Sequence, residues 1–251
     1  MTRGRTNIVI TGASSGLGEG MAREFAAKGC NLGLCARRTD RLDELAAELR
    51  RSYPDITVVT KKLDVCDHNA VFETFGEFRA ELGSLDRVIA NAGLGKGQPI
   101  GTGYFEANRQ TLETNVGGLL AQCEAAVEIF TEQRSGHLVV VSSVAAVRGM
   151  RGPVTAYAAS KAAAASLAEG IRSQHHRGPI TVTTLYPGYI ESEMTGRAGK
   201  TPLMVDANTG AKALVSAIEK ERPKAYVPWW PWTLLAQVLR FAPLGWVRKL
   251  S

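Results

Sequence analysis

The chain has 251 residues, 45% hydrophobic and 22% charged, which suits one sizeable core and an ordinary folded domain. A net charge of +6 and a pI near 9.2 are mildly basic, but the cations are dispersed, and neither zinc spacing nor an RNA-binding aromatic pattern accompanies them, so no nucleic-acid partner is expected. The four cysteines form no CxxC pair, the short polar N-terminus runs straight into a strand, and no run of 18 apolar residues occurs; the expectations are reduced thiols, a cytoplasmic setting, no targeting peptide and no membrane span.

The first apolar run, residues 7–11, has strand length, and a helical pattern follows over 18–28. The junction between them reads Thr11-Gly12-Ala13-Ser14-Ser15-Gly16-Leu17-Gly18. Glycines let the backbone turn tightly and approach a pyrophosphate, while the helix start offers free N–H groups and a positive dipole end. The spacing is GxxxGxG rather than GxGxxG. Strand 31–36 runs into Arg37 and Arg38, with Asp40 later, inside the helix start. An NAD-binding site of this kind usually places a carboxylate at that junction for the ribose 2′-hydroxyl. Two guanidiniums suit a 2′-phosphate instead, so NADP(H) is the expected cofactor.

Helix 38–51 carries Leu42, Leu45, Ala46 and Leu49 on one face, strand 56–63 follows, and helix 69–82 has Asp67 available as its cap. Strand 85–90, one long helix over 108–133, strand 137–141, helix 156–176, strand 180–185, helix 205–221 and a short strand 225–227 complete the alternation. Cys35 and Cys66 fall in or next to strands and Cys123 in a helix, which makes them small buried hydrophobes. His137 opens a buried strand and reads as structural; His175 and His176 lack a third ligand, so no metal is expected. Strands alternating with helices, with all-apolar runs such as Leu138-Val139-Val140-Val141, predict an α/β fold: a Rossmann-like, doubly wound parallel sheet in a single domain. Ligands of such sheets bind beyond the carboxyl ends of the strands.

Tyr157 and Lys161 stand four residues apart in the Ala-rich helix and therefore share a face. A phenol titrates near pH 10, and an adjacent cation favours the phenolate. Bringing it to about 7 asks for about 4 kcal/mol of differential stabilisation.

Taken in order, these residues resemble the single-domain branch of the short-chain dehydrogenase/reductases, over nearly the whole chain to about residue 228. Thr11–Gly18 is similar to TGxxxGxG, Leu63-Asp64-Val65 to the adenine-contacting segment, Asn91-Ala92-Gly93 to NAG and Pro187-Gly188 to PG, and Tyr157 with Lys161 to YxxxK. The resemblance implies hydride transfer between NADP(H) and a carbonyl or alcohol substrate, with Tyr157 as general acid and base. Ser143, favoured over Ser142, would bond the substrate oxygen; Lys161 would tune Tyr157 and hold the nicotinamide ribose; Asn115 would hold a water that links Lys161 to solvent. Beyond the glycine motif, Arg37, Arg38, Asp64, Val65, Asn91, Ala92, Gly93, Pro187, Gly188, Ile190 and Ser192 would line the cofactor site. Three departures stand out. Ser143 and Tyr157 are 14 residues apart rather than 13, which implies an insertion within 149–153; Ala90 replaces the first Asn of NNAG; and Ser192 stands where relatives often have Thr. Relatives are usually homodimers or homotetramers.

Residues 1–228 read as the cofactor-binding and catalytic domain and 229–251 as an apolar extension, with Trp229, Trp230 and Trp232 packed into four residues. The extension could close the substrate pocket, pack on a partner subunit, or sit on a membrane surface, and each favours an apolar substrate. Ser192, Glu193 and Asp206 could border the substrate mouth. The alternatives to a carbonyl reductase are a membrane-associated lipid ketone reductase and, in another class, a dinucleotide-binding regulatory or scaffold protein.

Overall fold

The computed structural model describes residues 4–193 and 203–250, with side chains placed through residue 248. Seven strands form one parallel sheet: β1 (Asn7–Thr11), β2 (Asn31–Ala36), β3 (Val58–Lys62), β4 (Arg87–Ala90), β5 (Gly136–Val141), β6 (Ile180–Pro187) and β7 (Lys224–Val227). The order is β3-β2-β1-β4-β5-β6-β7. The chain winds outward from β1 to β3, then crosses back to β4, which opens a crevice at the carboxyl ends of β1 and β4.

Helices cover both faces. Along β1 the side chains alternate, so Ile8 and Ile10 meet one cluster and Val9 the other. The first cluster packs α1 (Gly16–Ala26), α2 (Thr39–Ser52) and α7 (Ala207–Glu219) through Met21, Phe25, Leu42, Leu45, Leu214 and Ile218. The second packs α3 (His68–Leu82), α5 (Gly118–Gln133) and α6 (Thr155–Gln174) through Phe75, Phe78, Ala126, Phe130, Ala164 and Ala168. Asp67 caps α3 as expected, accepting from the Ala70 N–H at 3.1 Å.

Several element ends shift by one or two residues, β4 (from Arg87) and α7 among them, and three differences have a clear structural cause. β3 is shorter because it pairs only with β2, from Leu32↔Val58 to Ala36↔Lys62. β6 is longer because β5 and then β7 pair with it, ending at Pro187↔Val227. The long helix expected over 108–133 is three pieces: α4 (Phe105–Leu112), a π turn (Glu113–Gly117) and α5. A π turn accommodates one extra residue within a helix and recurs at functional sites; here it carries Asn115. Cys66 also departs from expectation. It lies beyond β3 and is half-buried, its Sγ 3.5 Å from Thr114 Oγ1, whereas Cys30, Cys35 and Cys123 are buried.

The extension forms α8 (Trp229–Phe241), broken at Trp230 (φ −107°, ψ 134°), and α9 (Leu244–Leu250). α8 docks through Trp232, buried with Val144 and Tyr186. Among the described residues no helix is long and apolar enough to cross a membrane.

Candidate active site

At the carboxyl end of β1 the chain must reverse under the start of α1. Gly12 has φ +65°, and a Cβ there would lie 2.9 Å from Ala92 Cα; a Cβ on Gly18 would lie 2.4 Å from the Gly12 carbonyl oxygen. Only glycines let strand, loop and helix approach this closely. Ser15 caps α1 without a side-chain bond to its N–H groups, so the helix start keeps free donors for an anion.

Thr11 pins the neighbouring loop. Its hydroxyl donates to Gln122 Oε1 at 2.7 Å and accepts from the N–H groups of Asn91 and Ala92 at 3.0 and 2.9 Å. Asn91 Nδ2 returns a bond to the Thr11 carbonyl at 2.9 Å. The sequence reading assigned no role to Gln122, and its only signal was a polar residue on an otherwise apolar helix face.

A groove of about 250 Å³ runs along these strand ends. It is lined by every residue expected to touch the cofactor except Gly18, which lies under the Gly12 carbonyl. At one end Arg38 donates to Ser15 Oγ at 2.6 Å and to Ser14 Oγ at 3.4 Å, while the more exposed Arg37 lies 3.8 Å from Asp64. Glu193 reaches Arg38 at 3.0 Å and also pairs with Arg41. These bonds, first that from Arg41 and then that from Arg38, hold the Glu193 carboxyl below the usual carboxylate range. Glu193 therefore sits at the guanidinium end of the groove, not only at a substrate mouth, and Asp206 caps α7 by accepting from the Thr209 N–H at 2.8 Å. Arg41 carried no sequence signal beyond its charge.

At the other end stand Ser143, Tyr157 and Lys161. Ser143 caps the short turn Val144–Val147, accepting from the Ala145 N–H at 3.1 Å, and is hydrogen-bonded to Tyr157. The extra residue between Ser143 and Tyr157 thus leaves the pair in contact; the segment passes through Gly152 at φ +70°. Ser142 also borders the groove, but its hydroxyl is engaged, donating to the Lys161 carbonyl at 2.7 Å. Its hydroxyl fixes α6 to the end of β5, which leaves Ser143 as the serine available to a ligand.

Lys161 is buried, with Nζ 5.8 Å from the Tyr157 ring centroid and donating to the Val141 carbonyl at 2.9 Å. Burial pushes its pKa down to about 8. Burial also raises the Tyr157 pKa, against the lowering effect of the Ser143 bond. Burial is thus the largest influence on the phenol. The ammonium is directed at a carbonyl, and desolvation outweighs the bond from Ser143.

Asn115 does not reach the groove wall; Thr114 does. The Asn115 side chain bonds both backbone groups of Leu94, accepting at 2.7 Å and donating at 2.9 Å, and donates to Ser160 Oγ at 2.9 Å. Ser160 in turn donates to the Tyr157 carbonyl at 2.7 Å. Both amide hydrogens of Asn115 are thus engaged by protein groups. Gly93 lies between the Asn115 and Lys161 side chains: a Cβ there would be 3.4 Å from both Asn115 Oδ1 and Lys161 Nζ.

Known proteins are similar to this chain in sequence and fold. An uncharacterized oxidoreductase of Mycobacterium tuberculosis is 53% identical over 98% of both chains. The 11-beta-hydroxysteroid dehydrogenase 1A of Arabidopsis thaliana is 33% identical over 97% of this chain and 74% of its own length. Among solved structures, the alcohol dehydrogenase of the archaeon Thermococcus sibiricus, complexed with 5-hydroxy-NADP, superimposes with a TM-score of 0.78 at 26% identity, covering 88% of this chain and 95% of that one. The family described as short chain dehydrogenase matches residues 6–203. That span holds the glycine turn, both arginines and the Ser143–Tyr157–Lys161 group, and the chain belongs to the short chain dehydrogenase family, as an oxidoreductase.

Proposed function

We infer that the protein transfers a hydride between NADP(H) and a carbonyl/alcohol pair on an apolar small molecule, with Tyr157 as the proton donor and acceptor. The observation that carries this reading is the groove that joins the glycine turn and Arg38 at one end to Ser143 and Tyr157 at the other. The glycine turn and the open start of α1 suit a pyrophosphate, and Arg37 and Arg38 suit a 2′-phosphate. The alcohol dehydrogenase of T. sibiricus, complexed with an NADP derivative, and the hydroxysteroid dehydrogenase of A. thaliana lend support for the cofactor and for an apolar substrate.

When bound, the nicotinamide supplies or accepts the hydride. Ser143 donates to the substrate oxygen and holds it at the phenol. With its pKa raised, Tyr157 is protonated at neutral pH, the form that gives a proton to that oxygen during reduction. The Lys161 ammonium then stabilises the phenolate left behind. Because the Asn115 amide is engaged by Leu94 and Ser160, a water relay from Lys161 would use the Asn115 main-chain carbonyl. The test is cofactor oxidation by the purified protein with a panel of ketones, including long-chain and sterol-like ones. NADPH is expected to exceed NADH by at least about 10-fold in kcat/KM, which corresponds to about 1.4 kcal/mol at the 2′-phosphate. Binding of NADPH without turnover on any ketone would favour a regulatory protein.

A further inference from the structure

Residues 222–251 contain five cations, Arg222, Lys224, Arg240, Arg248 and Lys249, and no Asp or Glu. This eighth of the sequence supplies most of the chain's net charge of +6. The same segment carries a run of exposed large apolar side chains. In α8 the residues Trp232, Leu235 and Ala236 face inward, while Leu234, Val238 and Phe241 recur at i, i+4 and i+7 on the outer side. Phe241 at the end of α8 is 78% exposed, Trp229 at its start 74% and Leu244 at the start of α9 72%, with Trp230 and Trp246 also in the open. α8 is thus apolar on both faces, and only one face is covered by its own domain.

We propose that the outer face of α8 and α9 is a docking surface for an anionic lipid bilayer. Tryptophans, leucines and a phenylalanine interleaved with Arg and Lys have the composition of helices that lie in the headgroup region. Arg and Lys stems can cover apolar surface while their charged ends reach the phosphates. At the root of α8, Lys220 and Arg222 line a cavity of about 420 Å³ with Trp229 and Thr233. Neither cation pairs with a carboxylate among the described residues, and the cavity can take a phosphate headgroup at the bilayer edge. A second copy of the chain fits this face less well. A two-fold interface sets a patch against itself, which would bring Arg240 and Arg248 of one copy toward those of the other, with no Asp or Glu in α8 or α9 to oppose them.

The surface also lies beside the groove. Trp232 of α8 packs on Val144, the residue after Ser143, and Arg148 Nη1 donates to the Arg240 carbonyl at 2.9 Å. Docking would hold the reaction site close to the bilayer, where apolar carbonyl compounds partition. The docking proposal does not depend on the proposed reaction, because vesicle binding is measured without turnover.

The full-length protein is floated with vesicles of phosphatidylcholine alone and of phosphatidylcholine with 25% phosphatidylglycerol. Binding to the anionic vesicles is expected to be at least about 10-fold tighter, to weaken with salt and to shift tryptophan emission to the blue. The triple variant Leu234→Ser, Val238→Ser, Phe241→Ser is expected to lose at least about 10-fold in vesicle affinity while binding NADPH as the parent does. The pair Arg240→Glu, Arg248→Glu, which keeps the apolar face, is expected to lose the preference for anionic lipid. Equal or absent binding to the two vesicles overturns the proposal. So does a parent dimer that the triple variant splits in light scattering without any vesicle binding, which would assign the face to a second copy.

Discussion

Lys161 places a cation where a protein would not put one for stability alone. Burial pulls its pKa from 10.5 to about 8, which corresponds to about 3 kcal/mol against the charged form. Between those two values the unfolded chain binds the extra proton, so this group's contribution to stability rises with pH across that window. Lys161→Met, similar in length and uncharged, is therefore expected to raise the stability of the cofactor-free protein at pH 7 by about 1–3 kcal/mol in urea unfolding. It is also expected to lower ketone reduction at least about 100-fold; a destabilised variant would mean that the bond to the Val141 carbonyl outweighs burial. The Tyr157–Lys161 pair was legible from its four-residue spacing, and Ser143 from its place at a strand end. The direction of the Tyr157 shift was not, because a sequence shows that two groups are neighbours but not how much water is excluded around them. Asn115 was legible as a site residue, while its engagement with Leu94 depends on a π turn that apolar periodicity does not announce.

At the scale of elements, two close approaches hold the groove's ends, and only one could be read from the sequence. The glycine turn after β1 is recognisable because its spacing follows from local geometry. The other contact is between β6 and α8, whose residues are far apart in the chain. A Cβ on Gly188 would lie 2.2 Å from the Trp232 indole, and Tyr189 meets the same ring edge-on at 5.4 Å. The Pro187-Gly188 turn is thus shaped from behind by the C-terminal extension. Gly188→Ala is expected to destabilise the protein by about 1–3 kcal/mol through overpacking. At least half of that effect should vanish in a Trp232→Leu background, measured as a coupling energy in a double-mutant cycle; additive effects would show that the indole is not what requires the glycine. β2 was legible to the residue, with β3, β4 and β6 legible less closely at their ends and the polar start of α4 least of all. There Arg109 pairs with Glu106 and Glu113 and leaves no apolar periodicity to read.

The whole molecule separates chemistry from anchoring. The groove occupies the carboxyl edge of the sheet, and the amino edge is tied by a buried polar network. Arg87 donates to His137 Nδ1 at 2.9 Å, so the ring is the Nε2–H tautomer and donates to Thr183 Oγ1 at 2.8 Å, while Glu221 joins Arg5 and Arg87. The structural reading of His137 agrees with this arrangement. Burial, and then Arg87, push its pKa down to about 3. Between pH 6.5 and 3 the unfolded chain takes up a proton that the folded chain refuses, so stability falls as pH falls, by up to about 1.4 kcal/mol per pH unit. Glu221 acts in the same direction: its pKa is depressed, chiefly by the Arg5 bond working against burial, so its contribution is present above the unfolded carboxylate value and is lost at lower pH. His137→Gln is expected to flatten the slope of unfolding free energy between pH 6.5 and 4.5; an unchanged slope would exclude His137 as its source. Apolar alternation made the doubly wound sheet legible, and the three crowded tryptophans marked the extension, but which face of α8 stays exposed was not legible, because it depends on how Trp232 docks with Val144 and Tyr186.

The central claim is that Tyr157 moves the proton in a hydride transfer at this groove. The most direct measurement is single-turnover oxidation of NADPH by Tyr157→Phe and by the parent, with any ketone the parent reduces and with NADPH affinity measured alongside. The account predicts a rate at least about 1,000-fold lower, with NADPH affinity within about 3-fold of the parent. A rate within about 10-fold of the parent, at equal cofactor affinity, would contradict it.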